Sequence, residues 1–141
     1  NIDLDSALGP AWVQQDADVL GELGLRIMLG TYIGSEQAAA AAAGWGGDYY
    51  TYLTDNLNRQ VLVLQTIWDT GADAREFAKA YVAFVSEKSG GTWDTLHDTD
   101  AIKWWMAEDG STVYMKRFGP NVLIVIAPDA SVSGVIAAQF K

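Results

Sequence analysis

From Gln60 to Trp68 the chain reads QVLVLQTIW, in which Val61, Val63 and Ile67 alternate with Leu62, Leu64 and Trp68. An extended segment that is apolar on both sides predicts a central strand covered on both faces. DYYTYL, just upstream, is rich in aromatic residues, and TDNLNR between the two carries the turn formers Asp55, Asn56 and Asn58, which predicts a hairpin. The last third repeats the arrangement. AIKWWMAE, a turn at Asp109-Gly110, STVYMKRF, a turn at Gly119-Pro120-Asn121 and VLIVIAP predict three strands in succession. AWVQQDADV predicts one more short strand near the N-terminus.

Helical spacing occupies the stretches between. In LGELGLRIMLGTYI the residues Leu20, Leu23, Ile27 and Met28 predict one apolar face, with Gly21, Gly24 and Gly30 weakening the helix unless packing compensates. Ser35 is placed to cap EQAAAAAAG, and Gly44 to end it in a left-handed conformation. The six alanines suit a helix lying close against a neighbour. Asp69 or Thr70 can cap GADAREFAKAYVAFVSEK, whose Phe77, Tyr81, Phe84 and Val85 predict the buried side. After SGG, the segment TWDTLHDTD reads as a loop. Asp129 can cap ASVSGVIAAQF, where Val132, Val135, Ile136 and Phe140 keep helical spacing. Two segments thus share a plan of buried strand, aspartate, small residues and amphipathic helix. They predict two β-hairpin-plus-helix units in one sheet.

With 141 residues the chain is the size of one domain and can bury a core without metal or crosslink. The net charge of −9 is balanced by a composition that is half hydrophobic, which excludes disorder. No run of Lys or Arg offers itself to phosphates, so the sequence argues against a nucleic-acid partner. The absence of cysteine removes disulfides, thiolate metal sites and a cysteine nucleophile. No apolar stretch approaches the roughly 20 residues of a membrane helix. The chain begins at Asn1 without methionine or a signal core, which suggests a fragment of a longer protein.

Candidate chemistry is sparse. The glycines of GWGGD lie after a helix and before a strand, the reverse of a phosphate-binding loop, and Asp48 would repel an anion. Trp45 then reads as the lid of a helix-to-strand corner, with Asp48 either holding that corner through backbone N–H groups or facing a cleft. Trp68-Asp69, Trp93-Asp94 and the adjacent Trp104 and Trp105 could form a stacking platform. Since strand residues alternate, one of Trp104 and Trp105 should point inward and the other serve as a surface anchor. His97 lies among Asp94, Asp98 and Asp100, but the EF-hand pattern is missing, so a solvated acidic loop is expected rather than a calcium site. A lone histidine cannot build a zinc centre. No G-x-S-x-G elbow is present.

Taken together, VLGELGLRIMLG, AAAAAAGWGGDYYTY, VLVLQTIWDTGADAREFAKAY and NVLIVIAPD resemble the C-terminal region of a poorly characterised family of exported bacterial and archaeal proteins. In that family an upstream domain carries a metallopeptidase-like HExxH helix. The HExxH segment is absent here, so the resemblance implies an accessory domain rather than a peptidase. It carries no functional residues over. The order of elements is also similar to the sandwich of PsbP-type domains, a likeness of fold alone.

The sequence therefore predicts a single α+β domain over residues 1–141, with a largely antiparallel sheet of about five strands and helices packed on it. The function it predicts is a non-catalytic binding or accessory domain of an exported, extracellular or cell-envelope protein, using neither cofactor nor metal. Its partner would be an upstream domain, a protein or peptide, or a second copy. Ligand contacts are expected at Trp45, Asp48, Asp69, Trp93, Trp104 and Trp105. The alternatives are a small hydrolase using Asp48 and Asp69 as its carboxylate pair, or a homodimerisation module.

Overall fold

The computed structural model describes residues 4–140, apart from the side chain of Asp5. Seven strands form one antiparallel sheet: β1 (Val13–Asp18), β2 (Trp45–Thr54), β3 (Gln60–Trp68), β4 (Asp94–Asp98), β5 (Ile102–Met106), β6 (Thr112–Phe118) and β7 (Asn121–Ala127). Their order across the sheet is β1-β2-β3-β7-β6-β5-β4. The α+β class and antiparallel sheet agree with the sequence; the strand count of about five is too low. Six of the seven strands fall on segments read as strands, all joined in the one sheet, and the seventh, β4, is cut from the segment read as a loop. All five of its residues are exposed, so it has no buried face to impose an alternating pattern. Backbone pairing to β5 alone makes it a strand.

Five helices cover the sheet: α1 (Leu4–Leu8), α2 (Gly21–Ile33), α3 (Ser35–Ala42), α4 (Gly71–Ser89) and α5 (Ala130–Ala137). On one face α2, α3 and α4 bury Leu25, Leu29, Ala38, Phe77, Tyr81 and Phe84 with Leu64, Val113, Met115, Val122 and Ile124 of the sheet. On the other, α1 and α5 cover Leu53, Val61, Val63, Tyr114, Leu123 and Val125, joined by Trp12, Ile136 and Phe140. Strands β3 and β7 are central and contribute to both cores, as their unbroken apolar runs predict.

The two hairpin-plus-helix units are present as β2-β3-α4 and β6-β7-α5, and β3 pairs antiparallel with β7. Their helices lie on opposite faces. A two-fold axis perpendicular to the sheet would carry β3 onto β7 yet keep both helices on one face. The units are therefore two uses of one supersecondary solution, not two halves related by that axis.

Three local expectations are corrected. In α2, Leu23 and Ile27 are each 65% exposed and the buried positions are Leu25 and Leu29. Ser35 opens α3 without capping it; Gly34 occupies the cap position, with no side-chain hydrogen bond. Gly44 does not take a left-handed conformation. Its missing side chain matters for space, because a Cβ there would lie 2.3 Å from Cγ and 2.5 Å from Cβ of Asp73.

Candidate functional site

Of the GWGG stretch, Trp45, Gly46 and Gly47 belong to β2 itself, and Gly44 lies in the turn before it. Trp45 pairs with Trp68 and Gly47 with Ile67, so Gly46 is the extra residue of a bulge. The bulge suits glycine, since a Cβ on Gly46 would come within 3.1 Å of the Ile67 carbonyl oxygen. Two residues on, the Asp48 carboxylate accepts the amide N–H of Leu20 at 2.6 Å, the amide of Gly21 at 2.8 Å and the indole Nε1–H of Trp45 at 2.9 Å. It caps the start of α2 from a strand 28 residues away and fixes the half-buried Trp45 ring in the same act.

Asp69 uses its backbone N–H on the Gly44 carbonyl at 2.8 Å, and its side chain is not the cap of α4. That role falls to Thr70, whose Oγ1 accepts from the Asp73 amide and donates to Asp73 Oδ2. With Asp48 committed to three donors, the Asp48 and Asp69 carboxylates do not form a free acid–base pair.

Trp104 and Trp105 go to the two faces of the sheet, as alternation requires, but neither is an outward anchor. Trp105 packs against the larger core. Trp104 packs against the smaller one, edge-on to Tyr114 with ring centroids 5.6 Å apart, and donates its indole N–H to Ser133 at 3.2 Å. His97, Asp94, Asp98 and Asp100 are all exposed; Asp98 pairs with Lys103 and Asp100 with Arg117. Among the described residues no three acidic or histidine side chains converge as metal ligands.

Trp93 lines a substantial cavity. Beyond the end of α4 a cleft of about 540 Å3 opens on the sheet, with Met28, Tyr81, Phe84, Trp93 and Ile126 as its apolar lining and Lys88, Glu108, Asp109 and Ser111 among its polar residues. This is the size and character of a small-molecule site. A neighbouring hollow of about 510 Å3 shares Asp109, Ser111 and Ile126 and continues over Tyr52 and Leu62.

Two features shape the chemistry of the cleft. Tyr81 is 3% exposed, and its hydroxyl has no hydrogen-bond partner among the described residues, yet none of their buried polar atoms is left unpaired. The oxygen is therefore not fully sealed in the core, and Tyr81 is one of the residues that line the cleft. Burial pushes the phenol above the ordinary tyrosine range, so it stays a neutral hydrogen-bond donor. At the β5–β6 turn, the Ser111 hydroxyl and amide both donate to Asp109 Oδ1, at 2.6 and 3.0 Å. These bonds hold the Asp109 carboxyl below the usual range, the hydroxyl contributing most.

Sequence reasoning counted Tyr81 as core and missed the cleft. A tyrosine at a buried helical position is the only signal the sequence carries, and it does not tell a satisfied hydroxyl from an open one.

The profile of a domain of unknown function (DUF8575) matches residues 10–136, from three residues before β1 into α5. The chain belongs to that family. No curated protein matches it. Among solved structures, the fold is similar to the crystal structure of the extracellular domain of PknH from Mycobacterium tuberculosis. The TM-score is 0.56 at 11% identity, covering 96% of this chain and 86% of that one. The likeness is one of fold, extending over nearly the whole DUF8575 domain. Among the described residues no helix is long and apolar enough to cross a membrane.

Proposed function

We propose that this domain is a non-catalytic ligand-binding module of an exported protein, and that the cleft beside Trp93 takes a small, largely apolar molecule carrying a hydrogen-bond acceptor. The observation behind this reading is the Tyr81 hydroxyl: neutral, without a partner among the described residues, and carried by a residue that lines a cavity with an apolar lining. A donor in that position loses little water when a ligand arrives and gains a bond it otherwise lacks. Trp93, half-buried at the cleft, supplies a flat surface for stacking. The extracellular setting of the PknH domain supports the exported location.

Acetophenone and ethylbenzene make a paired probe, since they match in shape and differ in the carbonyl oxygen. The expected result is that acetophenone perturbs amide resonances of α4 and the β5–β6 turn at lower concentration than ethylbenzene, and that Tyr81→Phe abolishes the difference. Equal effects of the two probes on the wild-type chain, or no effect of either, would overturn the reading.

The accessory relationship to an upstream HExxH-bearing region belongs to the same proposal and is tested by the gene sequence preceding Asn1. A homodimer draws on a different observation, the stripe of Leu20, Leu23 and Ile27 exposed along α2. Light scattering that reports a monomer at high concentration would dismiss it.

A further inference from the structure

A separate hollow, of about 310 Å3, lies between α4 and the β5–β6 pair, and four cations line it. Arg75 and Lys79 come from successive turns of α4, Lys103 from β5 and Arg117 from β6. The chain has nine Lys and Arg in all and a net charge of −9. Nearly half of its basic residues thus converge on one spot of an acidic molecule. The sequence hid this because the four positions span 43 residues, from 75 to 117, and form no run. Val82 and Met115 give the hollow an apolar part.

The two walls differ in how their charges are satisfied. On the sheet side, Lys103 pairs with Asp98, and Arg117 Nη2 donates to Asp100 Oδ2 at 2.8 Å. The Asp100 side chain is 87% exposed while that of Arg117 is 14% exposed, so an acid from the rim reaches a guanidinium set within the protein surface. On the helix side, Arg75 and Lys79 have no ion-pair partner among the described residues. With Asp98 and Asp100 counted, two positive charges remain uncompensated.

We propose that this hollow binds a short dicarboxylate, one carboxylate on Arg75 and Lys79 and the other on Arg117, with Asp100 as a built-in competitor for the second position. A guanidinium matches a carboxylate through paired N–H donors. The Asp100 carboxylate is open to water and gains little by staying on Arg117, so an incoming carboxylate displaces it. The apolar contribution of Val82 and Met115 fits a hydrocarbon linker and disfavours a compact, strongly hydrated phosphate. The site is independent of the cleft beside Trp93, and neither proposal depends on the other.

Titration of the full chain with succinate, followed by amide resonances at fixed ionic strength with inorganic phosphate as comparator, tests the proposal. Succinate is expected to saturate in the millimolar range or below and to perturb α4, β5 and β6. Arg75→Glu combined with Lys79→Glu should weaken binding at least about tenfold, and Asp100→Asn should tighten it about threefold or more. The tightening cannot arise from misfolding, and the first two substitutions lie at exposed helix positions. Failure of succinate to bind, binding unchanged in the double charge reversal, no gain from Asp100→Asn, or tighter binding of phosphate than of succinate would each overturn it.

Discussion

The Asp48 carboxylate receives the indole N–H of Trp45 at 2.9 Å and, through the same two oxygens, the amides that begin α2. One side chain thus couples the bulged start of β2 to the helix packed over it. Asp48→Ala leaves two helix-terminal N–H groups and a half-buried indole without their acceptor. The expected loss is about 2 kcal/mol, the upper end for a lost cap. Trp45→Ala should cost about 2 to 3 kcal/mol, less than truncation of a fully buried tryptophan. The double variant should fall short of the sum by about 1 kcal/mol, because both changes break the same bond. Additive losses in denaturant titrations would show that the two residues act separately.

Gly44→Ala places a Cβ against the Asp73 side chain, and the contact includes Asp73 Cβ at 2.5 Å as well as its more distal atoms. Rotation of Asp73 cannot relieve the clash, so the backbone at the start of α4 must shift. We expect a loss of about 2 to 3 kcal/mol, typical of overpacking. Adding Asp73→Ala should restore little, because the offending Cβ stays, whereas Asp73→Gly should restore more of the midpoint despite its helix penalty. Complete rescue by alanine would refute the account.

Asp55 holds the β2–β3 turn by accepting the amides of Leu57 and Arg59 and the Nε–H of Arg59 at 2.7 Å. Burial alone would raise its carboxyl, but the backbone and side-chain bonds from Arg59, with the Leu57 amide, bring it below the ordinary range. A carboxyl lower in the folded chain than in the unfolded one contributes stability that is fully present above its unfolded value, near pH 4. That contribution fades as pH falls through the folded value. Asp55→Asn should lower the melting temperature by about 5 °C at pH 7. The difference from wild type should shrink below about pH 4. A constant difference down to pH 2 would contradict this.

Tyr81→Phe removes a hydroxyl that has no hydrogen-bond partner among the described residues. Its effect on stability should stay within about 0.5 kcal/mol, in contrast to a tyrosine with a buried bond, whose loss costs about 1 kcal/mol or more. Chemical denaturation distinguishes the two, and a large loss would mean that the hydroxyl is satisfied within the core.

The contrast between α4 and α2 shows what could be read ahead of the fold. In α4, charged residues occupy one side and Phe77, Tyr81, Phe84 and Val85 the other, so periodicity names the buried face correctly. In α2, Leu20, Leu23, Leu25, Ile27, Met28 and Leu29 surround the helix almost entirely. Periodicity does not choose among them. The choice of Leu25 and Leu29 is made by the neighbours, α3 with its buried Ala38 and Ala41 and α4 with its aromatic face.

What the sequence determined by itself is local: the apolar runs of β3 and β7, the cap at Asp129 and a cap at Asp69 or Thr70, the turns at Asp55 and Asp109, and the amphipathic face of α4. Each follows from residues within a few positions of one another, where backbone geometry and side-chain chemistry act directly. Only the tertiary structure decided that Asp48 caps a helix 28 residues away, that Trp104 and Trp105 divide between two cores and that β4 is a strand. It alone set Tyr81 along a cleft and gathered four scattered cations into one hollow. Those outcomes depend on which distant segments become neighbours, and hydrogen bonds and charges act over ångströms of space regardless of separation along the chain.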